Sequence, residues 1–174
     1  MRSTSVNPIL TLLIVLGAGL AFAAGVASAA SVMLDWRVLG SGGVGGSCAL
    51  SPVLVSSCTA DSGGSAVGTH VGNSTWTLSL TTGSLIGSNF SGGNCFVANG
   101  TGDVTAANGD VIGYRTVGTL CEETGAGSPY HYNATYRITG GSGRFSSAVG
   151  GGNVASTNVR GGASYIKIDG TINY

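Results

Sequence analysis

From Trp76 to Thr81 large apolar residues alternate with small polar ones, Trp76, Leu78 and Leu80 on one side and Thr77, Ser79 and Thr81 on the other. A period of two sends successive side chains to opposite faces of an extended chain, so the segment reads as a half-buried strand. The pattern returns at Tyr132, Ala134, Tyr136 and Ile138, and again at Ile166, Ile168 and Ile172. Further strands are predicted over 32–39, 66–71, 84–90 and 149–158. Short strands separated by Gly, Ser and Asn, with no helical period between them, predict an antiparallel sandwich or closed barrel. One exception is Arg144 to Ala148, bracketed by Gly143 and Gly150, which predicts a single helical turn. Residues 40–47, GSGGVGGS, read as a linker or mobile loop, and their formal match to a dinucleotide-binding glycine pattern is compositional, because no helix follows.

The runs 94–107 and 110–122 flank Asn108-Gly109, the dipeptide that best supports a two-residue hairpin turn. Along this hairpin the even positions carry Phe96, Ala98, Val104, Ala106, Ile112, Tyr114 and Leu120, so the even face is predicted to be buried. Asp103 and Arg115 fall on the other face, where a diagonal exposed pair is expected. The turn sets Cys95 one position out of register with Cys121, and one bulge would bring them opposite. Four cysteines allow three connectivities, and this register favours Cys95 with Cys121 and Cys48 with Cys58.

Composition then narrows the class. Of 174 residues 32 are glycine, and only 8% are charged, against roughly 25% in an average domain. Seven basic and seven acidic residues cancel, which leaves no electrostatic footprint for nucleic acid. The apolar share of 43% is too high for a charge-expanded disordered chain. From Ile9 to Ala30 there is no charge, and Ala27-Ser28-Ala29 supplies the small residues of a leader cleavage site. The expectation is a removed leader over 1–29, one mature domain over 30–174, secretion or residence in the periplasm or at the cell surface, and no membrane partner after cleavage. An even cysteine count suits such an oxidising compartment.

Candidate chemistry is sparse. No G-x-S-x-G elbow, P-loop, EF-hand or H-E-x-x-H pattern occurs. There is no C-x2-C spacing and only His70 and His131 could join cysteines at a metal, so neither metal nor cofactor is expected. Glu122 and Glu123 are adjacent on a strand, hence on opposite faces, and make no carboxylate dyad. His131, between Tyr130 and Tyr132, is placed near a barrel mouth. Sequons stand at Asn73, Asn89, Asn99 and Asn133.

The run ITGGSGRFSSAVG over 138–150 resembles the GGTGRFAGATG signature of small exported barrels related to allene oxide cyclase and dirigent proteins. Residues 102–110, GDVTAANGD, and 169–174, DGTINY, are similar to the TAANGD hairpin and DGTISY last strand of the same group. The resemblance spans about residues 95–174 and rests on turns and structural glycines. It implies an eight-stranded antiparallel barrel, often trimeric, with a lumen for a hydrophobic ligand; no catalytic residue carries over.

Three functions follow as expectations. The first is a non-enzymatic barrel whose lumen, lined by Trp76, Phe96, Ile112, Tyr114, Tyr136 and Ile168, binds a small apolar molecule. The second is a structural or cell-surface assembly protein with an uncharged exterior. The third is a cyclase-like isomerase or dirigent-type steering protein, for which Glu122, Tyr114 and His131 are the available polar groups. Eight-stranded barrels are only just wide enough for their own side chains, so the same six lumen residues equally suit a filled core.

Overall fold

A computed structural model describes residues 32–124 and 126–174. The predicted leader over 1–29 lies outside the described residues. Eight antiparallel strands follow one another around a closed barrel: β1 (Leu34–Gly45), β2 (Thr59–Gly68), β3 (Gly72–Ser88), β4 (Asn94–Ala106), β5 (Val111–Glu122), β6 (Tyr130–Gly141), β7 (Val149–Asn158) and β8 (Ala163–Asn173). β8 pairs back onto β1, from Leu34 opposite Ile172 to Gly43 opposite Ala163. Closure pairs the strands on both sides over most of their length, and the tail of β3 beyond Thr82 pairs with β4 on one side. A single helical turn, α1 (Ser47–Leu50), follows β1, and a 3-10 turn, Gly143–Phe145, follows β6.

Along nearly the whole barrel, registers pair even-numbered residues with even-numbered ones, as in Ala66 with Ser74, Trp76 with Val104 and Tyr132 with Ser156. The even face predicted from the central hairpin is therefore the inner face of all eight strands. Trp36, Trp76, Tyr114, Tyr132, Ile112 and Ile168 are among its fully buried side chains. The predicted disulfides, Cys48–Cys58 and Cys95–Cys121, are both formed, which is consistent with an oxidising environment.

Several expectations change in detail. The Asn108-Gly109 hairpin closes through three residues, not two. Ala106 N donates to the Asp110 carbonyl and Gly109 N to that of Ala106, with Gly109 in the left-handed region at φ 87°. The extra turn residue supplies the offset, so Cys95 stands opposite Cys121 without a bulge in the β4–β5 ladder. No ion pair joins Asp103 to Arg115 among the described residues, although both lie on the outer face. Residues 40–45 are strand, not loop. Gly42 packs against the backbone of Gly63 and Gly64, where an added Cβ would sit 1.9 Å from the Gly63 carbonyl oxygen. The segment 84–90 is mostly the tail of β3, set off by register irregularities after Thr82, and 66–71 covers only the end of β2 and the turn beyond it.

With alternating strand directions, the connections 46–58, 89–93, 123–129 and 159–162 gather at one end of the barrel, which also carries both disulfides. The connections 69–71, 107–110 and 142–148 gather at the other.

Candidate functional site

The barrel interior brings all six predicted lumen residues, Trp76, Phe96, Ile112, Tyr114, Tyr136 and Ile168, into one continuous core. Large rings are seated over positions that lack a side chain. A Cβ on Gly40 would lie 2.5 Å from Trp76 Nε1, one on Gly102 would lie 2.5 Å from the Tyr114 hydroxyl, and one on Gly170 would lie 2.4 Å from the Tyr136 hydroxyl. Tyr136 meets Trp36 and Tyr114 edge to face, with ring centroids 5.4 and 6.1 Å apart. Alternation of large and small residues across facing strands is how a narrow barrel fills itself. Three further lumen aromatics, Trp36, Tyr130 and Tyr132, are not among the six predicted, although Tyr132 heads an alternating run and even parity places all three inside.

Hydrogen bonding in this interior is uneven. The Tyr114 hydroxyl donates to the Thr77 carbonyl at 2.9 Å, and the Tyr132 hydroxyl to Thr116 Oγ1 at 2.7 Å. By contrast the indole Nε1 of Trp36 and of Trp76 and the hydroxyls of Tyr130 and Tyr136 have no partner among the described residues. Burial pushes the Tyr130 phenol up to about 12, with Arg160 opposing the shift, and raises Tyr114, Tyr132 and Tyr136 as well. These phenols are thus neutral at physiological pH and act as hydrogen-bond groups, not as bases.

The charged group that enters the interior is Glu122, at the disulfide end, and it is already engaged. Its Oε1 accepts from Arg160 Nη2 and from Leu54 N, while Oε2 has no partner. Arg160 also donates from Nη1 to the carbonyls of Cys48 and Ser51 and from Nε to that of Ser128, and its guanidinium stacks 5.5 Å from the Tyr130 ring centroid. One buried ion pair therefore ties α1, the segment after it and the 123–129 connection together. Glu123 points outward, as its parity requires.

The remaining candidates do not converge. His131 Nε2 stands 3.7 Å from Glu123 and its Nδ1 3.1 Å from Thr157 Oγ1, at the disulfide end. His70 is at the opposite end, against Tyr174 and the Asp35 carbonyl. Phe145 is fully buried there beneath Tyr174, with Arg144 over its ring. No group of three or more His, Cys, Asp or Glu side chains that could hold a metal occurs among the described residues. All four cysteines are oxidised. Of the sequon residues, Asn73, Asn99 and Asn133 are exposed, whereas the Asn89 side chain is committed to backbone of its own turn and of Glu122.

No protein-family model, curated protein or solved structure matches the chain.

Proposed function

We propose that this is an exported barrel that acts by contact through its outer surface, as a structural or cell-surface assembly module. The observation that carries the reading is the division between a packed interior and an uncharged flank. Between Arg37 and Asp103, Asp61 is the one formally charged residue, and that stretch builds most of β1, all of β2 and β3 and most of β4. On this flank Leu39 and Val67 are directly paired, both more than half exposed, beside a shallow groove lined by Ser41, Ser65 and Asn73. The pair has Arg37 and Lys167 beside Leu39 and uncharged neighbours beyond Val67, so an aliphatic patch with charge along one border suits a second copy of the chain, since interface cores are depleted in charged residues and their rims are polar. The trimeric habit implied by the resemblance to allene oxide cyclase and dirigent barrels supports the same reading, as does a cleaved leader followed by secretion or envelope residence. Sedimentation of the mature chain tests it: a concentration-dependent oligomer that Val67→Asp dissociates supports assembly, and a monomer at every concentration refutes it.

A second reading, a lumen that binds a small apolar molecule, is favoured by the unpartnered donors of Trp36, Trp76 and Tyr136. Buried donors are almost always satisfied, and a ligand carrying an oxygen acceptor would satisfy them, as would ordered water. Native mass spectrometry of protein from its source separates the two, because a ligand adds a discrete organic mass.

A further inference from the structure

The disulfide end of the barrel combines two features that rarely occur together. Its connections are strongly braced, and they hold large apolar side chains out of the protein. Leu50, Val55, Leu85, Ile86, Phe90 and Val159 are all exposed there, Leu50 and Phe90 almost completely. Val55 and Leu85 line one shared hollow. Phe90 stands at the tip of a turn in which Asn89 Oδ1 accepts from Ser91 N and Gly93 N, while Asn89 Nδ2 donates to the Glu122 carbonyl. The 46–58 connection is held by Cys48–Cys58, by Arg160 and by Glu122. The 123–129 connection is held by Arg160 and by Gly127 N donating to the Pro52 carbonyl. Exposure of these side chains is therefore built in and is not the fraying of loose loops.

Charge indicates what covers them. In the four connections at this end and the β3 tail, the charged residues are Glu123 and Arg160, and Arg160 is buried in its ion pair. The opposite end carries Asp110 and Arg144 on its connections. Apart from the hollow shared by Val55 and Leu85, the six side chains stand on three connections and the β3 tail, a smaller set than the 20–30 residues a side of a specific protein interface. A bilayer interface asks for no matching shape, and binding to it grows with the apolar area inserted. The outer wall itself bears Thr75, Thr77, Ser79 and Thr81 where a membrane-spanning barrel needs an apolar band, so insertion stops at the tips.

We propose that the disulfide end docks on the interfacial region of a lipid bilayer, with Phe90, Leu85 and Ile86 entering first, contrary to the sequence expectation of no membrane partner. Because the end carries no exposed cation on its connections, attachment depends on apolar insertion and not on anionic lipid. This docking is independent of how the uncharged flank is used.

The test is cosedimentation of the full mature protein with phosphatidylcholine vesicles, beside Phe90→Asp, Leu85→Ser/Ile86→Ser, and Val149→Asp at the opposite end as control. Phe90 touches nothing that a substitution would unfold. The expected result is vesicle binding that falls about tenfold or more in Phe90→Asp, the loss that accompanies one large side chain leaving an apolar phase. Binding falls again in the double variant and is unchanged in Val149→Asp. Absence of wild-type binding, equal binding by Phe90→Asp, or a vesicle-free oligomer that Phe90→Asp disperses would each overturn the proposal. The last outcome would assign the same end to a second copy.

Discussion

The two ends of the barrel solve the same problem by different means. At the disulfide end, both cystines and a buried ion pair with hydrogen bonds to three separate segments hold the connections. At the other end closure rests on packing. Phe145 is driven under Tyr174, and Arg144 overlies it, reaching the His70 carbonyl and, at 3.5 Å, the Asp110 carboxylate from a side chain that stays half in solvent. The packed end covers itself with its own aromatic residues. On the connections of the other end Leu54 is buried but Leu50, Val55, Phe90 and Val159 face outward, and covalent and ionic ties supply the stabilisation that their burial would have given. Where outward apolar groups must be held in place, stabilisation has to come from beneath them.

Alkali should erase the difference first. Unfolded phenols ionise near pH 10, whereas Tyr130 in the barrel holds its proton to about 12. Between those values the native state binds more protons than the unfolded one, so stability falls as pH rises. Cooperative unfolding followed by tyrosinate absorbance should occur in that window, and ionisation in a still-folded barrel of more phenols than the exposed Tyr165 and Tyr174 supply would show that the interior is wet. Arg160→Ala comes next. Leaving Glu122 buried without its cation should cost about 3–5 kcal/mol, read by chemical denaturation, with the loss of amide protection concentrated at the disulfide end. Replacing both partners with apolar residues should recover most of it. Opening Cys95–Cys121 or Cys48–Cys58 singly should cost about 3 kcal/mol each, the wider hairpin loop slightly more. Gly40→Ala should cost about 1–3 kcal/mol by overpacking against Trp76; a neutral result would mean that the indole has free space to move into. Arg144→Ala at the opposite end should cost less than about 1 kcal/mol, and a larger loss would break the contrast between the ends.

Much of the fold is legible in the chain. Trp76 to Leu80, Tyr132 to Ile138 and Ile166 to Ile172 declare their strands by alternation, and the parity of the central hairpin extends around the barrel because nearly all registers pair even with even. The cysteine pairing followed from that hairpin, although the compensating residue sits in the turn and not in the ladder. What was hidden is the role of glycine. Residues 40–45 looked like a linker because their inward positions, Gly40 and Gly42, carry no side chain. The space at Gly40 is filled by the Trp76 ring from β3, and that at Gly42 by the backbone of the neighbouring strand β2. A sequence records what a position lacks and not which distant ring occupies the space. The same holds for Arg160, which looks like a solvated loop charge until Glu122, Cys48 and Ser128 are brought around it.

On the proposed reading the interior is a finished core and the working surface is outside. An atomic-resolution crystal structure of the protein purified from its source tests this most directly. The account predicts the rings of Trp76, Tyr114 and Tyr136 seated over Gly40, Gly102 and Gly170, with nothing larger than water at the indole nitrogens of Trp36 and Trp76. An organic molecule lying in the lumen, with those rings swung aside to admit it, would contradict the account.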